Sequence, residues 1–361
     1  MTSEYPCAGC GARVEYAPGT TALRCPYCGF EQQLATPDRT VREHAIDELA
    51  TLPRKPLATL AAHTLVCRKC GAQTQSDAIA DRCQFCAAPL VADVTSGEQI
   101  APEAVLPFAV DRGAVREALG KWARSRWFAP GSLKKVTDAE STRGTYLPHW
   151  TFDAKTVSDY DGQRGEHYYE TETYTENGET RTREVQRTRW YPASGTVSRD
   201  FDDVLVTGTG KVTTRHLEKL EPWPLAQAVP YQPDYLAGYT ALRYDVEPES
   251  GLETAKARMT KVIENDCERD IGGDEQRLNW IRTRYFELMY KLVLLPVWIA
   301  SYLHGGKTFT VLVNGRTGEV IGQRPYSRLK IVIAVLAGIV LAAVIIWLVV
   351  VLGHGHGPRR R

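Results

Sequence analysis

The sequence predicts an α+β fold with two N-terminal four-cysteine zinc ribbons, a mixed α+β body with β-hairpins, and one C-terminal transmembrane helix. Three observations predict it. Eight of nine cysteines fall into four C-x-x-C pairs near the N-terminus. Residues 104–323 show the aromatic and β-branched usage of a mixed fold. Residues 331–352 carry no charge. The expected units are a first ribbon over 1–35, a linker helix region over 36–63, a second ribbon over 64–92, the body over 104–323, the membrane helix over 331–352 and a short basic tail over 353–361.

In the first ribbon, Cys7 and Cys10 precede Cys25 and Cys28; in the second, Cys67 and Cys70 precede Cys83 and Cys86. Two residues between cysteines let one tight turn present both sulfurs to one ion, and two such turns supply the four thiolates of structural zinc. Disulfides, an iron site and redox-active pairs are the competing readings. Four thiolates leave no open coordination position, so both Zn2+ ions are expected to be structural. Gly11, Gly29 and Gly71 each follow a knuckle, whereas the fourth knuckle has Ala87. A ribbon of about 30 residues buries too little surface to fold alone, so the metal supplies folding energy. Cys267 stands at helical spacing from Met259 and Ile263 and reads as a core thiol.

Sixteen of the residues in 331–352 are Ile, Leu or Val, a run long enough to cross a hydrocarbon core of about 30 Å. Ile331, Leu336, Leu341, Trp347 and Leu352 mark this expected anchor. The N-terminus has no signal-peptide pattern. Zinc thiolates need a reducing compartment, which places the bulk of a single-pass cell-membrane protein in the cytoplasm. The formal net charge of +1 gives no global field for nucleic acid.

Within the linker, a helix-like stretch around 41–52 ends at Pro53. In the body, Asp111 caps a helix running to about Trp127, with Val115, Ala118, Leu119 and Trp122 on its inner face. Residues 146–153 read as a strand, and His149 as a structural histidine. Residues 166–191 form the clearest hairpin: Asn177-Gly178 suits a type I′ turn. Counting outward pairs Tyr174 with Arg181, Glu172 with Arg183, Tyr168 with Arg187 and Glu166 with Arg189. Thr171, Thr173, Thr175, Thr180, Thr182 and Thr188 share the other face. Neither face is apolar, so the hairpin is expected to be a long exposed arm, with Tyr168, Tyr174, Arg181, Arg183 and Arg187 as a partner-binding surface; a merely solvated edge is the competing reading. Gly208-Thr-Gly-Lys211 fails as a phosphate loop because Leu205 and Val212 break the pattern. Ser250 and Glu253 form a capping box opening a helix to about Arg269, with Val262 among its apolar residues. Strands are expected at 278–287 and 292–303. The second contains Pro296 and is expected at an edge or bulge. A terminal hairpin turns around residues 314–318.

Several stretches together resemble a bacterial family of membrane-anchored double zinc-ribbon proteins. They are Leu106-Pro-Phe108, residues 144–152, Leu236-Ala-Gly-Tyr239, Leu295-Pro-Val-Trp298 and residues 313–318, in order with the cysteines. The resemblance implies a membrane recruiter in phage-shock or flotillin-type envelope stress, with protein partners and no catalytic residue set. The expected function is thus a non-enzymatic, membrane-anchored zinc-ribbon adaptor at the cytoplasmic face, without a small-molecule substrate. A membrane-tethered nucleic-acid-binding protein is the alternative: Arg13, Arg24, Arg68, Lys69 and Arg82 surround the ribbons, offset by Glu4, Glu15, Glu31, Asp77 and Asp81.

Overall fold

The computed structural model describes residues 2–3, 5–35, 37–52, 54, 63–66, 73–76, 78–82, 89–92, 99–126, 129, 133, 142–212, 214–322 and 327–354. Strand dominates it, and this overturns the α+β expectation. Twelve strands form one large sheet, with a three-stranded and a two-stranded sheet beside it.

Strand β1 (Thr2–Ser3) belongs to the large sheet, while β2 (Glu15–Tyr16), β3 (Ala22–Arg24) and β4 (Glu31–Gln33) make the antiparallel sheet of the first ribbon. The ribbon does not stand apart. Val14, Tyr16, Leu23, Cys7 and Cys25 share one buried cluster with Tyr146, Tyr239 and Trp298 of the body. The Tyr16 N–H donates to Ala237 O at 2.9 Å, and the Gly19 N–H to Phe108 O at 2.9 Å. In place of the helix expected around 41–52, a two-residue strand β5 (His44–Ala45) is followed by a 3-10 turn over Ile46–Ala50. A hairpin of β6 (His63–Val66) and β7 (Gln73–Ser76) comes next; β8 (Ala78–Arg82) and β9 (Pro89–Ala92) then enter the large sheet.

After β10 (Ala104–Val105), Asp111 caps α1 (Arg112–Arg124) by accepting from the Ala114 N–H at 2.8 Å, and Val115, Leu119 and Trp122 are buried, as expected. Strands β11 (Thr142–Glu176) and β12 (Glu179–Thr207) run for 35 and 29 residues. A short α2 (Thr214–Leu217), β13 (Val229–Pro230) and β14 (Thr240–Leu242) lead to α3 (Pro248–Ile271). The capping box is not used. The helix starts at Pro248, whose missing N–H costs nothing in a first turn, and its N-cap Glu247 makes no side-chain cap. Leu252, Ala255, Met259, Ile263 and Cys267 are buried, so Cys267 is a core thiol; Val262, by contrast, is exposed.

The two strands expected at 278–287 and 292–303 are one, β15 (Glu275–His304). Bulges, not turns, absorb the irregular sequence. Pairing slips at Asp153 on both of its flanks, and Asp203 (φ 53°) and Glu287 (φ 50°) take left-handed backbone opposite those slips. Strand β11 lies at the centre, with β15 antiparallel on one side and β12 and parallel β14 on the other.

Pro296 is therefore not on an edge, and its tolerance has a local reason. Leu294 O and Pro296 O accept from Leu106 and Gly315 on the outer side of β15. The missing N–H of Pro296 points to that same side, in the gap between β10, paired at 293–294, and β16 (Lys307–Asn314), paired from Val297. Pro148 repeats the device in β11. It falls between β14, which ends its pairing at Tyr146, and β12, which begins at His149. Strand β17 (Val320–Gly322) closes the expected terminal hairpin.

Helix α4 (Arg328–His354) covers the expected anchor. Among the described residues no helix is long and apolar enough to cross a membrane. Leu336, Leu341 and Trp347 are exposed along α4. The side chains of Ile331 and Leu352 lie outside the described residues. The single-span anchor, the membrane as partner, and the cell-membrane localisation with a cytoplasmic bulk are corrected accordingly.

Candidate metal centre and exposed arm

The four N-terminal cysteines converge. Their sulfurs all lie within 4.8 Å of one another. Cys7 Sγ is 3.5 Å from Cys28 Sγ, and Cys10 Sγ is 3.7 Å from Cys25 Sγ. A tetrahedral ion with metal–sulfur bonds of about 2.3 Å would set its sulfurs roughly 3.8 Å apart. The two knuckles are built alike. Gly11 N–H donates to Cys7 O, and Gly29 N–H to Cys25 O, at 2.9 and 3.0 Å. Both glycines have left-handed φ, 69° and 76°, as a turn this tight requires.

Cys7 and Cys25 are buried, whereas Cys10 and Cys28 are exposed. Burial pushes the Cys25 thiol up, but the backbone N–H groups of Cys28 and Tyr27 outweigh it and bring the thiol down to about 7. Four N-terminal cysteines thus lie close enough to bind a metal ion, one such cysteine site among the described residues. Cys67, Cys70, Cys83 and Cys86 fall outside the described residues.

A second cluster escaped the sequence reading because its members are far apart in the chain. Glu43, Asp153, Asp202 and Asp203 gather at the bulge. The buried Lys291 ammonium already supplies a cation, 2.9 Å from Glu43 and 2.6 Å from Asp203. Burial, then a hydrogen bond with Glu43, pushes the Asp153 carboxyl up to about 7. The cluster ties the segment after the first ribbon to the central strands. The bland-looking Asp202-Asp203 inside a strand was its only trace in the sequence.

His149 is buried and its Nδ1 lies 3.1 Å from Leu147 O. Burial pulls its pKa down to about 4, and among the described residues no carboxylate contributes to that shift.

The arm has the expected register. Tyr174 faces Arg181, Glu172 faces Arg183, Tyr168 faces Arg187 and Glu166 faces Arg189. Asn177 and Gly178 form its turn with φ of 54° and 82°. Arg183 meets Glu172 at 3.0 Å, and Arg187 meets Glu170 at 2.6 Å. The cation–π contacts run diagonally instead of straight across: Arg183 lies over Tyr174 and Arg189 over Tyr168, at 5.5 and 4.8 Å. Tyr174, Arg181, Arg183 and Arg187 are exposed; Tyr168 is half-buried. Strand β15 accompanies β11 only up to Gly165, opposite Glu275, so the tip beyond it is two-stranded. Below that point α3 covers one face through Ile263, Cys267 and Ile271 against Tyr160.

The chain is similar to a protein of Bacillus subtilis (strain 168), the uncharacterized protein YdjG. The two are 27% identical over 336 residues, 92% of each chain. No family model matches the chain, and no solved structure matches it.

Proposed function

We propose that the protein is a non-enzymatic zinc-ribbon adaptor that recruits protein partners through its arm. The exposed two-stranded tip carries this reading. It presents two tyrosines among arginines on one face, a side-chain mixture enriched at protein interfaces. Zinc is the proposed occupant of both four-cysteine sets. Four thiolates suit a soft tetrahedral ion, and they close its coordination so that no position is left for a substrate. The envelope-stress setting implied by the family resemblance belongs to the same proposal.

A photo-crosslinking residue placed at Tyr174 tests the arm, with one at Glu253 on α3 as the control position. The expected result is a discrete adduct from Tyr174 alone, lost when Arg183 and Arg187 are both changed to alanine. Equal labelling from both positions, or adducts indifferent to the arginines, would remove the arm from the function.

A further inference from the structure

We propose that the cleft between the first ribbon and the body is a binding site for a phosphate ester of nucleotide size. The cleft encloses about 520 Å³, within the range of small-molecule sites. The first ribbon contributes Arg13, Arg24 and Tyr27, strand β8 contributes Arg82, and the body contributes Arg112 and Trp298.

Four arginines here face three carboxylates, and the pairing is uneven. Glu15 Oε1 is shared, 3.0 Å from Arg13 Nε and 3.2 Å from Arg82 Nη2. Arg24 pairs with Glu31 at 3.1 Å, near solvent. Asp111 is committed to the α1 cap. Arg112 forms no ion pair among the described residues; its guanidinium lies 5.9 Å over the Trp298 ring. It is also the first residue of α1, where the helix dipole disfavours a cation.

A phosphate entering the cleft answers the position of Arg112. It gives Arg112 a bidentate partner and meets the positive end of α1, while Arg13 and Arg82 stay on Glu15 and the Arg82 Nη2 group also donates to Gly238 O at 2.7 Å. The volume exceeds what a bare phosphate fills. At the rim the exposed Tyr27 ring, with Arg13 5.8 Å from its centroid, offers a flat surface for the group carrying the ester. A polymer is a poorer fit, because Glu15, Glu31 and Asp111 interrupt any continuous basic track.

Calorimetric titration of the full, zinc-loaded chain at low salt tests the site, with adenosine monophosphate, inorganic phosphate and adenosine as probes. Saturable one-site binding of adenosine monophosphate is expected, at least tenfold tighter than inorganic phosphate, with no heat from adenosine. Arg112→Gln and Arg24→Gln, both at exposed positions, should each weaken it at least tenfold while metal content and circular dichroism stay unchanged. The proposal fails if adenosine monophosphate does not saturate the chain by millimolar concentration. It also fails if both variants bind like the parent, if phosphate alone binds as tightly, or if adenosine binds equally well.

Discussion

At the scale of single residues, the chain's chemistry depends on which polar groups are kept from water. His149 is the clearest case. Its pKa is held near 4 by burial, against an ordinary value near 6.5. The neutral ring is therefore a native feature, whose stabilising contribution is complete above pH 6.5 and is lost as pH falls toward 4. Its ring resonances should stay at the neutral position down to about pH 5. Replacing it with glutamine should flatten the pH dependence of unfolding between those limits, by on the order of 3 kcal/mol. A ring that titrates near 6.5 would contradict the burial. The histidine was legible in the sequence as structural because no partner stood near it. The Lys291 cluster was not, because Glu43, Asp153 and Asp203 come together only through bulges that no local pattern announces.

Elements show how turn chemistry was readable while strand length was not. The Asn177-Gly178 pair fixed both the turn and the register of the arm, because positive φ at two successive positions admits few residues. Changing Gly178 to alanine places a Cβ at φ 82° and should cost the tip about 1 kcal/mol. Amide exchange should speed up across 170–184, and the global melting temperature should barely move. Exchange that stays slow would mean something else holds the tip. Pro296 misled in the opposite direction. It reads as the mark of an edge or a bulge, yet, like Pro148, it sits where one neighbouring strand ends and the next begins, so no ladder bond is missed. The capping box at Ser250 lost to Pro248 two residues earlier, whose fixed φ already suits a helix start.

For the whole molecule, the first four-cysteine cluster was legible from spacing and the great sheet was not. Cysteine pairs declare a metal site locally; a twelve-stranded sheet depends on which distant segments meet. The ribbon's own hydrophobic residues, Val14, Tyr16 and Leu23, are spent on the body, so the metal should stabilise more than its own knuckles. Elemental analysis should find two zinc per chain. Strong chelation should lower the melting temperature of the body signal, followed by near-ultraviolet dichroism of the Trp298 region, and not only expose thiols. One zinc per chain would show that the second set, with its Ala87, does not close. An unchanged melting curve after full chelation would separate ribbon from body.

The point where β15 leaves β11 at Gly165 has a consequence for solubility. Past it, two ladders of amides and carbonyls lie open, the usual template on which stray chains stack into fibres. Glu170, Glu172, Arg181, Arg183 and Arg187 stud that ribbon with alternating charge. A misplaced strand laid alongside would have to bury those ions, so the tip can remain bare without becoming a seed.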